Sequence, residues 1–274
     1  MNPTVGYRTM LSIGLVSVSF RELDVDRIVE MCLEAGVQGL EWGGDGHVPH
    51  GDLALAREVG EKTRSAGLVV AAYGSYYRAG HSEGEGLAFA DVLASANGLG
   101  APTVRIWAGR AGSEQIDSIG RQSVVDDSRR VAGMAAAEGI TVSFEYHANT
   151  LTDTNDSAAL LLDEVDHPNI RTFWQPPNGK DHAYHLEGLS RCLESGRLTS
   201  VHVFQHWPGK ERQPLMAGAG PWREFIAALR GPAGRRFLCL EFFKDDDPAQ
   251  LLEDAATLGR LLAGDGGPSD LEAG

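Results

Sequence analysis

The sequence predicts an α/β fold in a single domain: eight parallel strands that alternate with helices and close into a (β/α)₈ barrel. Eight short apolar segments alternate with longer segments of helical periodicity from one end of the chain to the other, as in a barrel. No Gly-x-Gly-x-x-Gly follows the first apolar segment, which disfavours an open, doubly wound sheet. The length, 274 residues, is that of a one-domain barrel.

The strand segments are short and rich in β-branched and aromatic residues. In chain order they read LSIGLVSV, GVQGLEW, LVVAAYG, APTVRIWAG, ITVSFEYH, NIRTFWQ, LTSVHVFQH and RRFLCLEFF. The first segment is as apolar as a signal peptide, but the charged RELDVDR follows it without a small-residue cleavage site, so we interpret it as a strand. After the third, AYGSYYRAG (72–80) is rich in Gly and Tyr and predicts a loop that shapes the pocket.

The segments between the strands have helical amphipathicity. They include DVDRIVEMCLEAG, DLALAREVGEKTRSAG, GEGLAFADVLASANGLG, SVVDDSRRVAGMAAAEG and DPAQLLEDAATLGRLL. Asp or Ser opens several of them, as expected of an N-cap, and Gly closes several, as expected of a C-cap. We predict one domain over residues 1–263, and the composition of GDGGPSDLEAG (264–274) predicts a disordered tail.

Charge and cysteine usage limit the class of protein. The formal net charge is −14 and is spread along the chain, which argues against a nucleic-acid partner because phosphate binding requires clustered Lys and Arg. No apolar run approaches the roughly twenty residues that span a bilayer, so we expect no membrane partner. The three cysteines are widely separated and indicate neither a disulfide framework nor a zinc knuckle. We expect a reducing, cytoplasmic location.

The carboxyl ends of four consecutive predicted strands are polar. Strand five ends in Glu145, strand six in Gln175, strand seven in His202 and strand eight in Glu241. Active sites of (β/α)₈ barrels lie at this face. Two carboxylates, an amide oxygen and an imidazole can converge on one divalent cation, such as Mn, Co, Mg or Zn. Each residue alone has an ordinary structural explanation. The prediction of a metal site therefore depends on all four residues ending consecutive strands at the same face.

Three histidines are further candidates for substrate binding. His47 lies in the loop after strand two, over the same face. His147 comes two residues after Glu145, so in a continuing strand it points to the same side. His206 comes four residues after His202 and is predicted either in the pocket or in an exposed loop.

Strand four contributes a cation and an aromatic ring. Arg105 lies near the end of a buried strand, where it can orient a ligand or pair with Glu41 or Glu145. Trp107, like Trp42 and Trp174, lies at a strand end. Such rings either form apolar walls against which the C–H faces of a sugar stack or pack in the core.

Three passages carry a resemblance to a known family. FEYHANTLTDT, HVFQHWPGKERQPLMAGAGPW and FLCLEFF resemble the xylose isomerase-like TIM barrels, which include tagatose 3-epimerase and hydroxypyruvate isomerase. The similarity covers residues about 10 to 263. It implies a divalent metal held by Glu, Asp, His and Glu on strands five to eight, with both glutamates exchanging protons with the substrate. Glu145, His202 and Glu241 take three of these positions.

The chain departs from the family pattern at two motifs. Gln175 and Asn178 replace the Asp and His of Asp-x-x-His. Lys210 replaces the Arg of Pro-Gly-Arg, and Arg212 close by is an alternative contact for an anion. We predict both as substrate-binding residues. Because Gln is neutral, the site should bind metal more weakly but polarise a bound carbonyl more strongly.

Together these features predict a divalent-metal-dependent isomerase or epimerase. It would move a proton α to a carbonyl in a sugar or small hydroxy-carbonyl substrate through an enediolate, with Glu145 and Glu241 as the catalytic carboxylates. Two alternatives remain open: an inosose-dehydratase-like lyase on the same scaffold and a non-catalytic sugar-binding relative. A DNA-repair enzyme resembling endonuclease IV is disfavoured by the missing ligands and the negative charge. The resemblance is also compatible with a homo-oligomer.

Overall fold

The structure, a computed structural model, describes residues 10–206, 210–231 and 234–264. Except for Gly264, which caps the last helix, the predicted tail lies outside the described residues, as do residues 1–9 of the predicted domain. The domain boundaries therefore stay predictions.

Ten strands are present in the described part of the chain. They are β1 Met10–Val16, β2 Gly39–Gly43, β3 Val69–Arg78, β4 Thr103–Trp107, β5 Thr141–Glu145, β6 Ile170–Trp174, β7 Leu198–Val203, β8 Gln205–His206, β9 Arg212–Gln213 and β10 Arg235–Leu240. Eight of them form a closed barrel in the order β1-β10-β7-β6-β5-β4-β3-β2. All pairs in the barrel are parallel. The predicted (β/α)₈ barrel is confirmed.

Eight α-helices lie between or after the barrel strands in the described ranges. They are α1 Val25–Glu34, α2 Leu53–Ser65, α3 Phe89–Leu99, α4 Ser118–Ala137, α5 Asn155–Val165, α6 His182–Glu194, α7 Ala219–Leu229 and α8 Ala249–Ala263. The side chains of Asp24, Asp52 and Asp117 cap α1, α2 and α4. None of these helices is long and apolar enough to cross a membrane.

The structure differs from the sequence prediction at two places. Residues 75–78, predicted as a loop after the third strand, continue β3 to Arg78. After a register shift Arg78 pairs with Trp107, so Tyr76, which has a φ of 56°, lies within a bent strand. The second difference is the hairpin β8–β9, which is antiparallel and carries His206 opposite Arg212. A hairpin this short has no alternating pattern that a sequence could reveal.

Apolar packing holds the helices against the outside of the barrel. A large cluster of buried residues joins strands and helices, and a small one contains Val16, Val18, Ala71, Phe237 and Cys239. Successive strand residues face opposite sides. Each strand residue therefore shares a face with the residue two positions before it. This holds for Arg105, Glu145, His202 and Glu241, which lie toward the carboxyl ends of their strands.

Candidate active site

Six polar side chains meet at the carboxyl end of the barrel. They are Glu41, Arg105, Glu145, Gln175, His202 and Glu241, and all are buried. Glu41 and Arg105 lie in the middle of β2 and β4, Glu145 and His202 lie at or near the ends of β5 and β7, and Gln175 and Glu241 directly follow β6 and β10. The parallel barrel brings them together because the ends of its strands lie at one face.

Arg105 forms the cationic centre of this cluster. Its Nε donates to Glu41 Oε1 at 2.5 Å, and its Nη1 donates to Glu145 Oε2. The guanidinium also lies 5.0 Å from the centre of the Tyr76 ring. Gly74 makes room for it, because a Cβ there would lie 2.6 Å from Arg105 Nη2 and 2.7 Å from Glu41 Oε1.

His202 connects Glu41 to the predicted metal ligands. Its Nε2 donates to Glu41 Oε2 at 2.9 Å, since a carboxylate only accepts. Its Nδ1 lies 3.1 Å from Gln175 Oε1 and 3.5 Å from one oxygen of each of Glu145 and Glu241. Burial opposes a charged imidazole, but Glu41 and Glu241 outweigh it and raise the pKa of His202 to about 10.

The two predicted catalytic carboxylates have unlike surroundings. Glu145 Oε2 accepts from Arg105 and, at 2.6 Å, from Trp107 Nε1. Burial would raise the pKa of Glu145, but Arg105 and His202 hold it well below its usual range. Glu241 Oε2 is buried without a hydrogen-bond partner. Burial, only partly offset by His202, raises the pKa of Glu241 to about 7.

Gln175 holds the loop after β5 as well as facing His202. Its Nε2 donates to the carbonyl of Tyr146 at 2.6 Å and lies 3.3 Å from Glu145 Oε1. An aspartate lacks this donor. The amide therefore has a structural role here that a carboxylate could not perform.

The predicted ligands Glu145, Gln175, His202 and Glu241 are of the residue types that bind a divalent cation. Glu241 supplies a buried oxygen without a partner, and Glu41 holds the Nε2 proton of His202 so that Nδ1 faces the other donors, as carboxylates do behind metal-bound histidines. As placed, however, the donors contact one another, and the described residues contain no group of three His, Cys, Asp or Glu side chains arranged to hold an ion. Binding one would require His202 to release its Nδ1 proton.

Replacing Gln175 with Asp is expected to tighten Mn²⁺ binding by about tenfold, because affinity rises with the number of charged ligands. Binding can be measured by calorimetry with the metal-stripped protein. Gln175→Asn is the matched control, since it is neutral and as short as Asp. Equal affinities of the Asp and Asn variants would contradict a ligand role for this position.

A cavity of about 590 Å³ opens over the cluster. Its lining includes Glu145, Gln175 and Glu241. It also includes six of the predicted substrate-binding residues: Arg105, Trp107, His147, His206, Lys210 and Arg212. Their predicted contacts with substrate stay predictions. Arg21 and Lys180 add two further cations to the lining, although the chain as a whole is strongly acidic.

Ring stacking organises the wall formed by Trp107 and His147. The two rings lie 4.5 Å apart and are tilted by 32°, and the Arg78 guanidinium lies 4.2 Å from the Trp107 ring centre. His147 Nδ1 donates to the carbonyl of Ala148 at 2.6 Å, which leaves the lone pair on Nε2. In the neutral ring, Nε2 of His147 is therefore a hydrogen-bond acceptor.

The opposite wall carries His206 between two aromatic rings. Phe204 and Phe242 lie 4.5 and 5.7 Å from it, centre to centre. Its Nδ1 lies 3.0 Å from Asn178 Oδ1, and burial lowers the pKa of His206 to about 4, so the ring is neutral. Arg212 stacks on Phe242 and pairs with Asp246.

The structure corrects the prediction for His47. The side chain is buried, its Nδ1 lies 3.0 Å from Ser17 Oγ and its Nε2 3.0 Å from the carbonyl of Leu23. It does not belong to the cavity lining, because both ring nitrogens hold the loop after β1. Trp42 and Trp174 are likewise core residues, fully buried, whereas Trp107 reaches the cavity.

Sequence reasoning missed several residues of the site. The sequence predicted Glu41 only as an ion-pair partner of Arg105 and not as part of the cluster, although its position on β2 was an available signal. Tyr76 and Phe242 line the cavity with positive φ values of 56° and 57°. A positive φ in a residue other than glycine is not predicted by any sequence pattern.

Comparisons with known proteins agree with the fold. A 68-residue stretch is 41% identical to the 3-dehydroshikimate dehydratase of Bacillus anthracis, over 25% of this chain and 24% of that protein. The match thus spans about a quarter of the curated relative.

Solved structures cover more of the chain. A probable 3-DHS dehydratase from Bacillus anthracis is 21% identical with a TM-score of 0.72, over 90% of this chain and 98% of that one. An L-ribulose 3-epimerase is 16% identical with a TM-score of 0.66, over 97% and 99%. At these identities the likeness shows the fold alone. The sequence model of one family matches residues 29–261, and the chain therefore belongs to the xylose isomerase-like TIM barrels.

Proposed function

We propose that this protein is an enzyme that removes a proton from the carbon next to a carbonyl in a small hydroxylated substrate, forming an enolate. The observation that carries the proposal is the carboxylate of Glu241, a residue of the cavity lining whose Oε2 is buried without a hydrogen-bond partner and lies 3.5 Å from His202 Nδ1. A carboxylate in such a place, with a pKa raised to about 7, can take a proton and return it near neutral pH.

Glu145 has a different part in this chemistry. Arg105 and Trp107 already donate to its Oε2, so it remains ionised and fixed in place. Its role is to help hold the reaction centre, not to exchange protons. This assignment departs from the expectation that both glutamates exchange protons, and it leaves His147 Nε2 as the second group at the cavity that can do so.

A divalent cation fits the same centre. Glu145, Gln175, His202 and Glu241 would hold it, and when bound it would polarise the substrate carbonyl and stabilise enolate charge. Arg105 contributes in the same direction from within the protein, because a buried guanidinium on the cavity lining stabilises nearby negative charge. Glu41 keeps His202 and Arg105 oriented through one hydrogen bond to each.

For the step after the enolate we propose loss of a β-hydroxyl group as water from a carboxylate-bearing substrate. The C–H bond breaks first and its electrons form the enolate; the hydroxyl then leaves with a proton, which gives a carbon–carbon double bond. Two observations support this choice. One is the local similarity to a 3-dehydroshikimate dehydratase, and the other is the group of cations on the cavity lining, which suits a carboxylate.

Isomerisation or epimerisation of a ketose is the second candidate. It is favoured by the presence of two groups, Glu241 Oε2 and His147 Nε2, that can exchange protons at one cavity. In this case the proton returns to carbon and no water is lost.

The two candidates are separated by product analysis. The protein is loaded with Mn²⁺ and incubated in D₂O, once with 3-dehydroshikimate and once with a panel of ketoses. We expect a dehydrated product from 3-dehydroshikimate, detected by ultraviolet absorbance and mass spectrometry. Deuterium in a recovered ketose without loss of water would select the epimerase instead. No dehydration and no deuterium incorporation with any compound would contradict the enolate proposal.

A further inference from the structure

Arg21 and Tyr76 form a hydrogen-bonded pair on the cavity lining that the chemistry above does not use. Arg21 lies between β1 and α1, and Tyr76 lies in the bent end of β3. Both residues line the cavity. Arg21 Nη2 donates to Tyr76 Oη at 3.0 Å, and this hydrogen bond is exposed. The Arg21 side chain is 47% exposed, and Tyr76 is partly exposed. A ligand in the cavity can therefore reach the pair.

Hydrogen bonds fix the Arg21 guanidinium without using all of its donors. Its Nε donates to Asp45 Oδ2 at 2.8 Å, and its Nη1 donates to the carbonyl of Val18 at 2.9 Å. With the bond to Tyr76, each of the three nitrogens has one acceptor. An arginine carries five N–H donors, so one on each of Nη1 and Nη2 is not used by the described residues. Because the group is already held in place, a ligand that binds to it loses less entropy.

The Tyr76 hydroxyl is a second donor at the same place. Its oxygen accepts from Arg21, and burial raises the pKa of Tyr76 to about 12, so the hydroxyl keeps its proton at neutral pH. That proton can be donated to a ligand beside Arg21. The face of the ring lies 5.0 Å from the Arg105 guanidinium, and Trp107 packs edge-on at 5.2 Å. The same ring therefore contacts Arg21 at one end and the buried polar cluster at its face.

We propose that Arg21 and Tyr76 bind the carboxylate of the substrate, with the unused N–H groups of Arg21 and the O–H of Tyr76 donating to its oxygens. A guanidinium matches a carboxylate in charge and in geometry. Because Arg105 lies against the same tyrosine ring, a carboxylate held here leaves the rest of a compact hydroxy acid over the polar cluster. The inference rests on the proposed function for the class of substrate, an acid that carries hydroxyl groups.

Other cations of the lining lie across the cavity. Lys210 and Arg212 follow β7, and three strands separate β7 from β3 in either direction around the barrel. Arg212 pairs with Asp246. Arg21 is favoured over them because it combines its charge with an O–H donor 3.0 Å away. The choice decides which way round the substrate lies.

The test measures the binding of shikimate and of its primary amide to the Mn²⁺-loaded protein by calorimetry. Shikimate carries a carboxylate and hydroxyl groups but no ketone, so the proposed proton transfer cannot occur during the measurement. We expect the wild-type protein to bind the acid at least tenfold more tightly than the amide, because hydrogen bonds to a charged group are stronger than those to a neutral one.

Two variants remove the proposed donors. Tyr76→Phe keeps the ring and should weaken binding of the acid about tenfold, with a smaller effect on the amide. The double variant Arg21→Gln with Asp45→Asn removes the guanidinium without leaving Asp45 unpaired, and its preference for the acid should fall to within twofold. Loss of the preference, and not of binding in general, distinguishes a direct contact from a structural role.

The matched control is the double variant Arg27→Gln with Glu30→Gln. Arg27 lies on α1, is 45% exposed and pairs with Glu30, so this control removes a similar exposed ion pair outside the cavity lining. It should retain the full preference for the acid. Lys210→Met, which removes a cation from the opposite side of the cavity, should also retain it.

Equal binding of acid and amide by the wild-type protein would overturn the inference, as would failure of shikimate to bind at millimolar concentration. A preference lost in Lys210→Met but kept in the Arg21 double variant would overturn it too, because the carboxylate would then lie on the other side. The enolate proposal fails separately. A protein that binds shikimate through Arg21 but never exchanges deuterium with 3-dehydroshikimate or a ketose refutes that proposal alone.

Discussion

Replacing Glu241 with Gln is expected to lower the rate of deuterium exchange and of product formation by about 10²- to 10⁴-fold, the usual contribution of a general acid–base group. The amide has nearly the same shape as the carboxylate but cannot take up the proton from carbon. Glu241 Oε2 has no hydrogen bond to lose, but its charge lies 3.5 Å from His202 Nδ1, so the substitution should lower the melting temperature only slightly. The measurement is deuterium incorporation into the compound on which the wild-type protein acts, with thermal unfolding recorded beside it.

Glu194→Gln provides the control, since Glu194 is exposed on α6 and its change in charge is the same. It should exchange deuterium at the wild-type rate. If Glu241→Gln retained a rate within twofold of the wild type, Glu241 would not be the proton-exchanging group. In that case His147→Gln should show the loss instead.

Replacing Arg105 with Met is expected to lower the free energy of unfolding by about 3–5 kcal/mol, because two buried carboxylates lose their shared cation. Glu41 and Glu145 are both buried, and Arg105 donates to each. Met fills a similar volume without charge, so the loss reflects electrostatics more than packing. Urea unfolding at neutral pH measures the difference.

Two further variants test whether the loss of stability comes from the buried charges. Arg110→Met removes an exposed pair with Glu85 and should cost less than about 1 kcal/mol. The double variant Arg105→Met with Glu41→Gln should recover part of the loss, since one of the unpaired charges is then gone. Equal effects of Arg105→Met and Arg110→Met would contradict the described role of the buried guanidinium.

Many features of the site were accessible from the sequence because of the regularity of a barrel. Glu145, Gln175, His202 and Glu241 could be grouped because each follows an apolar run, and parallel strands bring such positions to one face. His147 also lines the cavity, but β5 ends at Glu145, so the strand alternation from which its position was predicted does not extend to it. The position of His47 could not be predicted in this way, because a histidine in a loop belongs to no periodic pattern. Its contacts with Ser17 and Leu23 depend on how the loop folds back.

The sequence alone determined the order of strands and helices, the closed barrel and four of the six polar residues that cluster at its carboxyl end. These follow from local alternation of apolar and polar residues and from the parallel pairing that the alternation of strands and helices requires. Only the tertiary structure decided how the polar groups differ. It placed Arg105 against Glu145 and left Glu241 Oε2 without a hydrogen-bond partner, 3.5 Å from His202 Nδ1, because pKa values and hydrogen bonds depend on neighbours that are distant in the chain and adjacent in space.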